Sequence, residues 1–400
     1  MKYDIVIIGA GPAGLSFARS LAETDLRVLV VERSGMADLQ APAMDGREIA
    51  LTHLSKKILT EMGAFARIPQ DSIAPMKQAR VINGDSSYSL KFDSRKEGVD
   101  ALGYVVPNYL IRKALYEEVT DRENIEILAD TSVLDVQITP AVATVTLSNG
   151  DAVDASLVVA ADSRFSDTRR RVGISASIQD FGRVAIVSRL AHEKPHHRIA
   201  YECFHYGRTL AMLPLNGNLS SAVVTVSSDI ASQIQAMDET TFAADVQARF
   251  NNRLGNMELV GKRYAYPLVA VHANKFVKPR FALIGDAAVG MHPVTAHGFN
   301  LGLRGQDTLY RTIRQALLQG QDIGDLKVLE KYQSTHMHVT WPLYTGTNEI
   351  VSLYTNDSVP AKILRGLVLR LSNNFPPVKQ MISKKLTEVG GHGEAGLPFF

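Results

Sequence analysis

The sequence predicts a mixed α/β protein: a parallel α/β domain assembled from noncontiguous segments, a β-sheet domain set between them, and C-terminal helices. Three stretches carry that expectation. Residues 3–32 read as strand, glycine turn, helix, strand and acid. Residues 183–226 read as successive antiparallel strands, and residues 281–302 return to a strand, a glycine-rich turn and a long helix. The pieces divide as 1–75, 101–175 and 276–345 for the α/β domain, 76–100 and 176–275 for the β-rich domain, and 346–400 for the helical segment.

The first unit opens with Tyr3-Asp4-Ile5-Val6-Ile7-Ile8 and runs into Gly9-Ala10-Gly11-Pro12-Ala13-Gly14. Helical spacing follows through Leu15, Ala18, Leu21 and Ala22, and Val28-Leu29-Val30-Val31 ends in Glu32. This is the full context of the dinucleotide fingerprint and makes the first domain Rossmann-like. Gly9 permits the tight turn, Gly11 lets backbone approach a pyrophosphate, and Gly14 lets helix and strand pack closely. The helix start at Pro12 and Ala13 offers unpaired N–H groups and a partial positive charge to phosphate. Glu32 suits a ribose with a free 2′-hydroxyl, which favours FAD or NAD over NADP, and Arg33 beside it is a second candidate contact. A further pattern match, Gly391–Gly396, has no strand before it and reads as a tail without function.

After a polar, irregular stretch from Ser34 to Gly46, helical spacing returns at Ile49, Leu51, Leu54, Ile58 and Leu59. Residues 78–92 alternate as a hairpin around Asn83-Gly84-Asp85. Pro107 opens a helix through Leu110, Ile111, Ala114, Leu115 and Val119. Strands follow at Ile125–Leu128, Val133–Ile138 and Ala143–Leu147, with a hairpin signal at Asn149-Gly150, and Ser156–Ala161 ends at Asp162. The β-rich segment holds strands at Arg183–Leu190, Arg198–His205, Thr209–Leu215 and Ser220–Val226, then helices at 228–236 and 240–253. Strands at 257–268 and 280–285 lead to a helix over 299–319 and a helical remainder.

That last strand delivers Gly285-Asp286, followed by His292-Pro293 and His297-Gly298-Phe299-Asn300. An aspartate at a strand's C-terminal end can hold a polyol hydroxyl such as the ribitol of a flavin. The start of the following helix favours a negatively charged group. The bland alternative is that Asp286 only ends a strand and Gly298 only caps a turn.

Composition narrows the classes. Hydrophobic content is 46% and charged content 21%, ordinary for a soluble globular protein. A net charge of +2 without a basic run interleaved with aromatics argues against nucleic acid. The lone Cys203 excludes an internal disulfide and a CxxC pair, and fits a reducing compartment. No long apolar run follows Met1, so no signal peptide is expected, and no apolar stretch is long enough for a transmembrane helix. The histidines at 192, 196 and 197 lack a convincing metal-ligand set, and no metal is expected.

Taken together, the glycine motifs resemble those of the FAD-dependent aromatic hydroxylases, the single-component flavoprotein monooxygenases, over nearly the whole chain. The late motif matches at Gly285, Asp286, Ala287, Ala288, Pro293, Gly298 and Asn300, while Val289 and His297 stand where the family usually has histidine and often glutamine. The middle motif runs Ala160-Ala161-Asp162-Ser163-Arg164-Phe165-Ser166-Asp167-Thr168-Arg169; Asp162, Ser166 and Arg169 match, and Ala160 and Ser163 replace glycines. Within that family the nearest likeness is to the ubiquinone-biosynthesis hydroxylases, through Asp45–Leu51 with Ser55, Gly103–Asn108 with Arg112, and Phe299–Arg304. The resemblance implies that Arg47 reaches the FAD phosphates, that Arg112 lies near the cofactor, and that Asp162 supports FAD and the nicotinamide. Gly298, Phe299 and Asn300 join Asp286 at the cofactor, and Pro293, His297 and Gly298 line the reacting ring.

Only one nucleotide fold is present, so NAD(P)H visits as reductant rather than occupying a domain of its own. The implied reaction places one oxygen of O2 on a lipophilic aromatic ring. His292 and His297 are candidate bases, or hydrogen-bonded structural histidines. Tyr201 lies on one sheet face and Phe204 and Tyr206 on the other, as pocket walls or as core. Between 361 and 389 two amphipathic helices carry six Lys/Arg against one Glu, which fits an anionic membrane surface or a cap on the FAD domain. The expected location is cytoplasmic, at the inner face of the membrane, alongside other ubiquinone-biosynthesis proteins. Two further readings stay open: another flavoprotein oxidoreductase, such as an isoprenoid-chain reductase, and a non-catalytic flavin-binding partner. A halogenase is disfavoured because Trp341 is the only tryptophan.

Overall fold

The computed structural model describes residues 2–83, 89–205, 208–291 and 297–355, together with 383, 387 and 388. The chain opens with β1 (Lys2–Ile8), α1 (Pro12–Leu21) and β2 (Val28–Val31). β1 is apolar from Ile5 to Ile8 because both its faces are covered there, and Ile5, Val6 and Ile7 are fully buried. α2 (Met36–Gln40) forms inside the stretch expected to be irregular, anchored by buried Leu39. β3 (Glu48–Leu51), α3 (His53–Glu61) and α4 (Ala64–Arg67) follow. The helix expected from Ile49 starts only at His53. Residues 48–51 form a strand instead because they pair with residues 104–107, a non-local constraint that apolar spacing does not encode. Thr52 then caps α3, its side chain accepting from the Ser55 N–H.

β4 (Ala74–Met76), β5 (Gln78–Asn83), β6 (Ser89–Asp93) and β7 (Gly103–Pro107) come next. β5 and β6 pair antiparallel as expected, and the turn at Gly84-Asp85 lies outside the described residues. α5 (Asn108–Val119), β8 (Ile125–Leu128), β9 (Val133–Ile138), β10 (Ala143–Leu147), β11 (Ala152–Ala160) and α6 (Asp167–Arg171) lead to the β-rich segment. That segment holds β12 (Ala176–His192), β13 (Ile199–His205), β14 (Arg208–Pro214), β15 (Leu219–Ser227), α7 (Ser228–Ala236), α8 (Glu239–Arg249) and β16 (Met257–Ala273). β12 and β16 are each 17 residues long, well beyond their expected bounds, because they pair with one another from Ala176↔Ala273 to His192↔Met257. β17 (Val277–Lys278), β18 (Phe281–Leu283), a 3₁₀ turn at Gly285–Ala287, β19 (Val289–Gly290), α9 (His297–Leu318) and α10 (Leu326–Thr355) complete the described fold.

Three sheets organise these elements. The first has the order β17-β18-β11-β1-β2-β8, with β10 and β9 attached beyond β11, and its β1–β11, β1–β2 and β11–β18 pairs are parallel. Around it lies the main core, which includes Phe17 of α1, Leu115 of α5, Leu309 of α9 and Tyr332 of α10. The second has the order β19-β16-β12-β15-β14-β13-β5-β6. Its β13–β5 pair is parallel, because those strands come from separate stretches of chain rather than a hairpin. One face of this sheet packs Ile186, Cys203, Leu210 and Val224 against Phe242 and Val246 of α8. The third is the small sheet β3-β7-β4. It lies toward the other face of the second sheet, where Leu213 packs with Ala74 and Val105 and where Arg189 meets Glu48.

No helix among the described residues is long and apolar enough to cross a membrane. The amphipathic stretches expected between 361 and 389, apart from 383, 387 and 388, and the Gly391–Gly396 tail lie outside the described residues.

Candidate functional site

The glycine turn joins three chain segments. A Cβ on Gly9, whose φ is +108°, would sit 2.7 Å from the Ala161 carbonyl oxygen, and one on Gly14 would overlap the Gly9 carbonyl. These close approaches seat the start of α1 against the ends of β1 and β11. Gly11 differs: a Cβ there meets nothing within 4 Å. Gly11 is also the residue that precedes α1, no side chain caps that helix, and Pro12 occupies its first turn. The space over Gly11 is therefore a cradle beside a helix N-terminus that no side chain fills.

Polar groups ring the cradle. Glu32 accepts from the Ala10 N–H at 2.7 Å and from the Ser34 N–H at 2.9 Å, which fixes its carboxylate beside the turn with lone pairs to spare. Arg33 is exposed and Arg112 half-buried on α5, and neither has an ion-pair partner among the described residues. Arg47 pairs with Asp45 at 2.6 Å and lies over the Tyr266 ring, and Asp45 also accepts from the Asn108 side chain at 2.7 Å. Asp162, at the end of β11, accepts weakly from the Thr168 N–H at 3.4 Å through one oxygen; the other is buried without a partner.

The late motif folds against the first. A Cβ on Gly285 would come 2.7 Å from Cβ of Ala13, so the 3₁₀ turn rests on α1. Asp286 accepts from Arg164 at 3.0 Å, and Arg164 also donates to the Val269 carbonyl at 3.0 Å. His297 is buried in the first turn of α9, with Gly298 and Phe299 half-buried after it. The buried Asn300 donates to the Ala50 carbonyl at 2.9 Å and accepts from the Thr52 N–H at 3.1 Å, tying α9 to the end of β3. Pro293 and His292 lie outside the described residues, as does Tyr206.

Of the aromatic candidates, Tyr201 meets Phe250, just after α8, edge-on, while Phe204 packs with Leu90, Phe92 and Leu102 on the opposite face. His192 and His196 have structural hydrogen bonds, to the Lys194 carbonyl and Ser220 hydroxyl and to the Leu215 carbonyl respectively. Sequence reasoning missed Arg164 as the partner of Asp286. It also missed the Glu48–Arg189 pair at 2.6 Å, in which burial raises the Glu48 carboxyl against the pull of Arg189. Both pairs join residues more than a hundred positions apart, so no local signal announces them. Arg164 was nevertheless visible inside the middle motif, two residues after Asp162.

The cradle over Gly11, the unpartnered oxygen of Asp162 and the unpaired Arg33 and Arg112 fit a dinucleotide carrying a pyrophosphate. Fold and site together define a dinucleotide-dependent oxidoreductase whose one nucleotide fold faces a separate β-sheet. A family model described as FAD binding domain matches residues 2–347, and the chain belongs to that family. It is an enzyme, and its cofactor is FAD. The chain is 50% identical over 388 residues to ubiquinone hydroxylase UbiM of Neisseria meningitidis, covering 96% of this chain and 84% of that protein. It is 32% identical over 381 residues to ubiquinone hydroxylase UbiL of Rhodospirillum rubrum, covering 95% and 88%. The solved structure of p-nitrophenol 4-monooxygenase PnpA from Pseudomonas putida has the same fold, with a TM-score of 0.76 at 18% identity, covering 96% and 98%.

Proposed function

We propose that this enzyme hydroxylates the aromatic ring of a polyprenylated phenol or quinol in ubiquinone biosynthesis, with NAD(P)H as reductant and O2 as oxygen donor. The observation that carries this is the 50% identity to a ubiquinone hydroxylase across 96% of the chain. FAD, when bound, supplies the redox chemistry between NAD(P)H and O2. The chain supplies binding, orientation and a water-poor site. Gly11 and the start of α1 hold the pyrophosphate, with Pro12 and Ala13 in the first turn; Glu32 holds the ribose, and Arg33, Arg47 and Arg112 supply positive charge. Asp286 holds the ribitol, and Arg164 orients it. Gly298 and Phe299 border the reacting ring with Pro293 and His297. Asn300 works at one remove, by holding β3 against α9. Segments 1–75, 101–175 and 276–345 form the FAD domain, and 76–100 with 176–275 present the substrate surface. The basic segment 361–389 holds the enzyme at the inner face of the membrane, where a prenyl tail stays in the bilayer. Other proteins of the same pathway are its expected neighbours.

The test is isotopic. Given NAD(P)H, ¹⁸O2 and a prenylphenol lacking one ring hydroxyl, the enzyme places one labelled oxygen on the ring. Label arriving from water, or turnover undiminished without oxygen, rules the reading out.

A further inference from the structure

Glu202 occupies a singular position on the second sheet. It pairs with Val81 of β5 and Ala211 of β14; Ala211 pairs with Val223, Val223 with Val187, and Val187 with Tyr264. Residues paired across a sheet share a face, so these six form one row. It is the face turned away from α7 and α8. Tyr264 abuts Gly46, beside Arg47, and Arg189, two residues beyond Val187, is bound to Glu48 of β3. The row therefore looks toward β3, which Asn300 ties to the start of α9 on the cofactor side.

The row on one side, Phe204, Thr209 and Thr225, is buried; on the other side Ala200 and Ser221 are buried and Leu213 between them is half-buried, as are Glu202, Ala211 and Val223 themselves. The result is a row of small apolar side chains with one carboxyl among them, bordered by Phe204 and the apolar cluster it joins. Such a lining, mostly apolar with a single oriented polar group, is that of a small-molecule site. Glu202 has no hydrogen-bond or ion-pair partner among the described residues. On the facing elements Arg189 is bound to Glu48 and Arg47 to Asp45, the Lys56 ammonium lies over the Tyr104 ring, and Leu353 of α10 packs in the apolar cluster of Phe204. Removal of water by the surrounding side chains pushes the Glu202 carboxyl up to about 8. A structural acid would find a partner; a base for a phenol gains from that raised affinity for a proton.

We propose that Glu202 binds the ring hydroxyl of the substrate and accepts its proton. The phenol O–H bond breaks, the proton passes to a carboxylate oxygen of Glu202, and the electron pair stays on the phenolic oxygen. Electron density on the ring rises, which favours attack on an electrophilic oxygen. The assignment rests on the hydroxylase reading above and names the group at that site that selects a phenol.

The experiment compares FAD-loaded wild type, Glu202→Gln and Glu202→Asp with a short-chain prenylphenol. Bound phenolate is read by difference absorbance as a function of pH, kcat/KM is read over the same range, and FAD content is the control. In the wild type kcat/KM rises with pH through about 8, as the carboxyl ionises. Glu202→Gln keeps its FAD, loses that limb and the phenolate signal, and falls about 100-fold in kcat/KM; Glu202→Asp restores both in part. If Glu202→Gln fails to hold its fold, Glu202→Asp decides: a displaced limb supports the assignment and an unmoved one overturns it. A Gln variant with wild-type phenolate signal and pH profile overturns the role of Glu202 alone. A wild-type enzyme that neither binds nor oxygenates any prenylphenol overturns the hydroxylase reading with it.

Discussion

Single residues at the glycine turn separate fold from ligand. Gly9 and Gly14 serve the chain itself, since a side chain at either would strike backbone. Gly14→Ala is therefore expected to destabilise the protein by about 1–3 kcal/mol, as overpacking does, seen as a lower denaturant midpoint. Gly11 is the position proposed above to serve the cofactor. Gly11→Val projects into empty space, so the purified protein should lose its yellow colour and keep its unfolding stability within about 0.5 kcal/mol of the FAD-stripped wild type. Full FAD retention in that variant places the pyrophosphate elsewhere. The glycine spacing and Glu32 were legible because their partners lie within one motif; Asp286 was legible as part of the late motif, whereas its partner Arg164 was not. Glu202 was not, because its face, its neighbours and its lack of a partner emerge only when six strands are side by side.

At the scale of elements, one carboxylate ties three helices together. Glu118 of α5 meets Arg19 of α1 at 3.1 Å, Arg67 of α4, and Arg122 just past the end of α5 at 3.6 Å. Burial alone would raise its carboxyl, but hydrogen bonds from Arg67 and Arg19 outweigh this and hold it below the usual range. Removing one partner of a buried pair costs about 3–5 kcal/mol. Arg67 is 44% exposed, so Glu118→Ala is expected to cost nearer 2 kcal/mol, measured by chemical denaturation. The junction of α9 and α10 carries a pH response. His336 stacks on Tyr332 and crowds Gly305, and burial pushes its imidazole down to about 3 from an ordinary 6.5. The native chain thus binds fewer protons than the unfolded chain below 6.5. Stability present above that pH is lost as pH falls toward 3, by up to about 1.4 kcal/mol per unit. His336→Phe should flatten that part of the curve of unfolding midpoint against pH; an unchanged slope assigns the loss to other groups.

For the whole molecule, the prediction concerns the membrane. Residues 361–389 carry Lys362, Arg365, Arg370, Lys379, Lys384 and Lys385 against Glu388. Sedimentation with liposomes should rise with anionic lipid and fall with salt, because surface charge is screened over about 8–10 Å at physiological ionic strength. Replacing the six cations with Gln, rather than truncating, is the cleaner variant: Glu388 bonds Arg304 at 3.1 Å and the Thr52 hydroxyl at 2.7 Å, so removing the segment also disturbs α9 and α3. Equal binding by wild type and the Gln variant removes the proposed contact.

The sequence by itself determined the first βαβ unit, the return of the chain to it at Gly285, the short strands β8, β9 and β10, and the cofactor class. Each of these is written in local periodicity or in glycines whose spacing follows from close backbone approach. Tertiary structure alone decided that residues 48–51 extend as a strand, that β12 and β16 run for 17 residues, and that β5 joins β13 in parallel. It alone brought Arg164 to Asp286, Arg189 to Glu48, and Glu202 onto the sheet face that meets β3. Those outcomes depend on pairings between residues tens to hundreds of positions apart, and local propensity yields to such pairings wherever burial and hydrogen bonding favour them.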